Sequence, residues 1–305
     1  MKRRDFIATL AVGTAALAPR PLRARTEKPG VDQDNAWAVL VDTVVCIGCR
    51  KCEWACAREH KLTDKELPAF EDKSVFDRHR RPDATAYTVV NRFVNATEPK
   101  RAYTIKVQCM HCNVPACASA CIVGALKKDP RGPVSYDAWK CIGCRYCMVA
   151  CPFQIPAYEY RNALAPQVRK CTFCLERLEQ RLKPACVAIC PNEALTFGRR
   201  ADLVELAHSR IIQSPGKYVD HVYGEREAGG TSWMYLAGAD FINTELPKLA
   251  DRPIPELTES IQHGIFRSFV PPLALYALLG LIMYSLREEK RIPGDQRPEN
   301  TSHDA

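Results

Sequence analysis

The sequence predicts an α+β fold in which short strands and helices close around four cysteine-rich loops, followed by a single C-terminal transmembrane helix. Three observations predict it. All 16 cysteines of the 305-residue chain fall into four regularly spaced quartets. Short β-branched and aromatic runs lie between the quartets, as strands require. Near the C-terminus, Phe269 to Leu286 is uncharged, apolar and about long enough for one tilted membrane helix.

In chain order, Lys2-Arg3-Arg4-Asp5-Phe6-Ile7 leads into an apolar run to Ala18, then Pro19 and basic residues. This is a twin-arginine signal segment over 1–24. Its apolar part is too short to span comfortably, and Leu22-Arg23-Ala24 is a poor cleavage site. Ala36 to Val45 is β-branched enough to be a strand feeding the first quartet, Cys46, Cys49, Cys52 and Cys56. The same C-x2-C-x2-C-x3-C spacing recurs at Cys141, Cys144, Cys147 and Cys151, there followed by Pro152. C-I-G-C-R-x-C is identical in both copies, which marks an internal duplication.

That spacing is the bacterial ferredoxin run for a [4Fe-4S] cluster. Three cysteines two residues apart wrap one corner of a cubane, and Gly143 lets the backbone approach cluster sulfur closely. Cys151 lies one helical turn beyond Cys147 and reaches a second cluster. The remaining cysteines form C-x2-C-x4-C-x3-C at Cys109, Cys112, Cys117 and Cys121, and C-x2-C-x11-C-x3-C-P at Cys171, Cys174, Cys186 and Cys190. The runs should sit in loops that open short helices.

Between the first two quartets lie a charged segment, Arg58 to Arg81, and strand-like runs at Tyr87-Thr88-Val89-Val90 and Tyr103-Thr104-Ile105-Lys106-Val107. No chemistry is visible in this insertion. His60, His79 and His111 are assigned surface or supporting roles, since the cysteines complete every cluster. Gly124 to Trp139 reads as a hairpin turning at Asp129-Pro130-Arg131-Gly132. Trp54 and Tyr146 are expected to pack against clusters rather than relay electrons. Beyond Gly198, Asp202 to Ile212 has helical apolar spacing. Tyr223-Gly224-Glu225-Arg226-Glu227-Ala228-Gly229-Gly230-Thr231 is a glycine-rich turn that lacks the phosphate-loop pattern, so nucleotide binding is rejected. Arg287, Lys290 and Arg291 follow the apolar run and only Arg267 precedes it, which places the polar tail, 288–305, in the cytoplasm and the cysteine domain outside the membrane.

Two other uses of cysteine are weaker. Disulfide scaffolds are short and loop-rich, and zinc needs four ligands per site without runs ending in Cys-Pro. A hydrophobic content of 47% suffices for a core. The formal charge of +8 is offset by four clusters at about −2 each with their thiolates. Hence there is no argument for nucleic acid. No acid, base or nucleophile constellation appears.

The quartets in this order resemble the iron-sulfur electron-transfer subunits of molybdopterin oxidoreductases and some membrane-bound hydrogenases. With the twin-arginine start, the 223–231 turn, Leu246-Pro247-Lys248-Leu249, Ile261-Gln262-His263 and the terminal helix, the chain is most similar to the periplasmic iron-sulfur subunit of hydrogenase-2-type [NiFe] hydrogenases. Formate dehydrogenase beta and DMSO reductase iron-sulfur subunits are relatives. The resemblance implies four [4Fe-4S] clusters, ligated by Cys46, Cys49, Cys52 and Cys190; by Cys171, Cys174, Cys186 and Cys56; by Cys109, Cys112, Cys117 and Cys151; and by Cys141, Cys144, Cys147 and Cys121. It implies two nested ferredoxin-like modules, the inner (109–151) inserted in the outer (36–200), then an extension over 201–264 and a membrane helix over 265–287. Cys56 and Cys121 precede Ala57 and Ile122 where the family commonly has proline. The implied role is a non-catalytic wire on the periplasmic side of the cytoplasmic membrane. It would join [NiFe] hydrogenase large and small subunits, or a molybdopterin or multihaem partner, to a polytopic quinone-reactive subunit in the lipid bilayer.

Overall fold

Strand β1 (Trp37–Asp42) is the centre of the molecule's largest sheet, pairing antiparallel with β8 (Leu195–Arg199) and parallel with β9 (Trp233–Leu236). Both faces of β1 are covered, so the strand is apolar throughout instead of alternating with polar residues. Ala38 and Leu40 meet Leu203 and Ala207 of helix α6 (Arg200–Gln213), together with Met234 and Leu236. Val39 and Val41 face the other way, into a core shared with Cys109, Cys171 and Cys186. Truncating Leu203 to alanine would cost roughly 2–5 kcal/mol through the cavity it leaves.

The computed structural model describes residues 32–94, 102–162, 166–242, 244–256, 259 and 270–289. The expected signal segment, the Ile261-Gln262-His263 match and the tail from residue 290 lie outside them. Helix α1 (Lys51–Glu59) follows the first cysteine loop, and β2 (Thr88–Val94) pairs with β3 (Ala102–Gln108) across the insertion. Helix α2 (Ala116–Ser119) opens after Pro115. The hairpin β4 (Leu126–Lys128) and β5 (Val134–Tyr136) turns at Asp129 as the sequence predicts, with Asp129 N–H donating to Pro133 O at 2.8 Å. Its tip docks on β1, where Trp37 N–H donates to Arg131 O at 2.7 Å. Gly132 has φ +118°, and a Cβ there would stand 2.7 Å from the Trp37 carbonyl. Helix α3 (Tyr146–Ala150), strands β6 (Ala157–Tyr158) and β7 (Val168–Arg169), and helices α4 (Leu175–Glu179) and α5 (Ala185–Ala188) complete the cysteine-bearing part.

At the C-terminal end, Val270–Glu289 forms helix α7. Among the described residues no helix is long and apolar enough to cross a membrane. The uncharged part of α7, Val270 to Leu286, rises about 25 Å and is the described part of the spanning helix expected over 265–287. Residues 265–269 are outside the described residues. Leu275, Tyr276, Leu279, Leu281, Ile282, Met283 and Tyr284 are all exposed on this helix.

Candidate iron-sulfur centres

The four C-x2-C loops share one backbone device. The residue before the second cysteine is left-handed in each: Gly48 (φ +66°), His111 (+50°), Gly143 (+71°) and Phe173 (+59°). Such a turn aims successive N–H groups into one concavity that favours negative charge. Of these donors Phe173 N–H lies 3.4 Å from Cys171 Sγ; from outside the loops, Ala125 N–H lies 3.2 Å from Cys121 Sγ and the Thr104 hydroxyl 3.2 Å from Cys46 Sγ. In the duplicated loops Arg50 and Arg145 are also left-handed, and each opens its helix.

All sixteen cysteines are free thiols, so the disulfide reading falls. Burial pushes Cys147 and Cys174 up to about 11, and Cys117 and Cys171 up to about 12, with neighbouring thiolates adding to the rise. Cys52, Cys56 and Cys112 are raised further for the same reasons. The neighbours responsible define four groups. Cys46 feels Cys190 and Cys49, and a cavity is lined by Cys46, Cys49, Cys52 and Cys190. Cys56 feels Cys171, Cys186 and Cys174. Cys112 feels Cys109, Cys151 and Cys117. Cys147 feels Cys141, Cys121 and Cys144, and these four line a second cavity.

Successive groups adjoin. Cys52 of the first feels Cys186 of the second, Cys171 of the second feels Cys109 of the third, and Cys117 of the third feels Cys147 of the fourth. Among the described residues no three His, Cys, Asp or Glu side chains converge on a single-ion site. A tetrahedral zinc site would bring its sulfurs to ~3.8 Å of one another through bonds of ~2.3 Å, a convergence that is absent among the described residues. Four thiols around a lined cavity, with amide and hydroxyl donors to sulfur, fit a cubane cluster.

The histidines take the surface or supporting roles read from the sequence, though not all at the surface. His111 is fully buried rather than at the surface, accepting a bond from Val134 N–H at Nδ1 (2.8 Å) and meeting Phe173 edge-on. Burial, then the charges of Lys170 and Lys128, holds its pKa well down, so the ring is neutral. His60 stands beside a thiol as a supporting residue, with Nε2 3.8 Å from Cys174 Sγ. His79 is exposed near Glu245. Tyr146, between Cys144 and Cys147, is exposed. Trp54 is anchored through Nε1 to Lys65 O at 3.2 Å.

The insertion also carries more than the sequence disclosed. It supplies Thr104 at Cys46 and the fully buried Lys106, and its Arg80 joins Arg50 on the buried carboxylate of Glu53, at 2.6 and 2.8 Å. Strand parity sets Thr104 and Lys106 on the face opposite Ile105 and Val107, which from sequence reads as the solvated face, so their burial carried no local signal.

Residues 101–200 match the 4Fe-4S dicluster domain. Over 317 aligned residues the chain is 36% identical to the hydrogenase-2 operon protein HybA of Escherichia coli O157:H7, covering 93% of this chain and 95% of that one. The chain belongs to the HybA family of iron-sulfur proteins. A protein of Nitratidesulfovibrio vulgaris is 50% identical over 266 residues, 85% of this chain and 70% of its own. The nitrate-inducible formate dehydrogenase iron-sulfur subunit of Escherichia coli K12 is 33% identical over 240 residues, 77% and 76% of the two chains. This HybA-family chain is therefore a [4Fe-4S] electron-transfer subunit with a ferredoxin-like domain of mixed α and β structure.

Proposed function

We propose that the chain is a wire of four [4Fe-4S] clusters, held by the four cysteine groups in the order 1 to 4 and organised as an inner module (109–151) within an outer one (36–200). Bound there, each cluster supplies a one-electron carrier. The chain holds sixteen thiolates, donates N–H and O–H groups to sulfur and excludes water from the inner groups. The observation that carries the reading is the adjacency of successive groups through Cys52 and Cys186, Cys171 and Cys109, and Cys117 and Cys147. A set of isolated structural metals would not need that continuity.

The wire joins the large and small subunits of a [NiFe] hydrogenase to a polytopic quinone-reactive membrane subunit, on the periplasmic side of the cytoplasmic membrane. Support comes from the hydrogenase-2 operon relative aligned along almost the whole chain and from the twin-arginine start. Helix α7, with its exposed apolar side chains, is the segment we assign to the membrane or its subunit. The formate dehydrogenase relatives favour a second reading, the same wire beside a molybdopterin enzyme.

Metal analysis of the complex purified through this chain in mild detergent tests both. About 16 iron per chain fits four clusters with four irons each. Nickel near one per complex supports the hydrogenase reading, and molybdenum or tungsten the second. A chain that purifies alone, with neither metal, overturns the wire.

A further inference from the structure

Two buried lysines, Lys106 and Lys170, and the half-buried Lys128 lie among the cysteine groups, and they are not equivalent. Lys128 Nζ donates to the carbonyls of His111 (3.0 Å) and Gly132, and Lys170 Nζ to those of Val134 and Cys171 (2.5 and 3.1 Å). Backbone carbonyls thus solvate both. Lys106 has one such partner, the side-chain carbonyl of Gln108 at 2.9 Å, and its ammonium lies 4.3 Å from the centre of the Trp233 ring. Gln108 is itself fixed, donating through Nε2 to Tyr235 Oη at 2.6 Å, and Tyr235 Oη donates to Lys106 O at 2.8 Å.

Lys106 is 2% exposed, and among the described residues no carboxylate pairs with it. A lone ammonium so placed is costly unless negative charge lies close by. That charge is sulfur. Lys106 lines the cavity with Cys46, Cys49, Cys52 and Cys190. The negative groups that act on it most are the thiols of Cys186, Cys52, Cys171 and Cys56. One of these four thiols belongs to the first group and three to the second.

We propose that Lys106 is a shared counter-ion set between the first and second clusters, raising the reduction potentials of both. Each cluster passes from about −2 to about −3, thiolates included, when it accepts its electron. A fixed positive charge between them favours the reduced form of either and offsets the repulsion between two reduced neighbours. The cations acting on Cys112 and Cys117 of the third group are Lys128 and Lys170, so Lys106 sets the first half of the wire apart from the second. Gln108 and Tyr235 position the ammonium.

This rests on the four-cluster reading, which iron content and the EPR signals of the reduced wild-type complex test independently. The test of Lys106 is an EPR-monitored redox titration of the full complex carrying Lys106→Met, Lys106→Arg or Lys106→Gln. Lys106→Met should shift two of the four midpoint potentials downward. At a fixed poise the oxidised-to-reduced ratio of those two clusters should rise on the order of tenfold, one unit charge at the effective dielectric of a protein interior. Lys106→Arg should restore the wild-type values. Lys127→Met, an exposed neighbour on β4, should move none. If Lys106→Met fails to retain its iron, Lys106→Gln, polar but uncharged, is read by the same criteria. Unmoved potentials at full iron content, equal shifts in all four clusters, or equal shifts in the Met and Arg variants would each overturn the proposal.

Discussion

Cys46-Ile47-Gly48-Cys49-Arg50 and Cys141-Ile142-Gly143-Cys144-Arg145 are the same five residues in two surroundings. Their backbones match, with left-handed glycine and arginine in both. Their environments do not. In the first loop Arg50 is buried, bonded to Glu53, to Phe70 O at 3.0 Å and to Asp72 O at 2.9 Å, and Thr104 caps Cys46. In the second, Arg145 is exposed over the Tyr158 ring, Cys144 is exposed, and Ile122, Trp139, Ile142, Tyr146 and Val149 surround it in solvent. Local sequence therefore sets the shape of a cluster loop, and the segments packed over it set its dielectric and access, which tune potential.

The sharpest test removes ligands. Cys56→Ser, in the buried loop, should prevent the chain from accumulating with any iron, because metal binding free energy is folding free energy there. Cys144→Ser, at the exposed end, should lose about a quarter of the iron and leave a folded chain. Iron per chain in the purified complex checks both, and equal losses would break the comparison. Next in size, Arg50→Ala leaves the buried Glu53 carboxylate with Arg80 as its remaining cation and removes charge-assisted hydrogen bonds worth about 2 kcal/mol, against ~0.5 kcal/mol or less for Arg145→Ala. Anaerobic urea unfolding followed by circular dichroism reads the difference.

Glycine substitutions should separate the loops less. Gly48→Ala sets a Cβ 2.8 Å from Thr104 Cγ2, a side chain fixed in β3, whereas at Gly143 the neighbour is the Tyr158 hydroxyl at 2.9 Å, the free end of a ring. Both pay the left-handed penalty of roughly 1–2 kcal/mol, and Gly48→Ala should exceed Gly143→Ala by about 1 kcal/mol in the same unfolding assay. Smallest is Thr104→Val, which removes a hydrogen bond of about 1 kcal/mol from Cys46. It should lower one cluster potential slightly and leave the fourth loop's untouched, and a redox titration that shows no shift would remove Thr104 from the set of tuning residues.

Much of the site was legible because cluster ligation is written in spacing. Sixteen cysteines in four runs announced cubanes, and the strands at Trp37–Asp42 and Leu126–Tyr136 followed from β-branched patterns around a turn. What stayed hidden depends on contacts between distant segments. Lys106 looks like a solvated strand lysine until β3 is seen packed between Trp233 and the thiols. His111 looks like a loop histidine until Val134 and Phe173 enclose it. The apolar run near the C-terminus was read by composition alone; it does form a helix, Val270–Glu289, and among the described residues no helix is long and apolar enough to cross a membrane.

The central position of β1 has a kinetic consequence. Its partners β8 and β9 are the last strands made, and the bond from Thr43 Oγ1 to Leu236 O closes a separation of 193 residues. Closing so long a loop carries a large entropic cost before any contact rewards it, and topologies of this kind fold slowly. The first two cysteine groups span comparable distances along the chain, drawing Cys190 to Cys46 and Cys171 to Cys56. Closing the sheet and assembling those groups are therefore one step, so that completing the fold reports completed cofactor insertion.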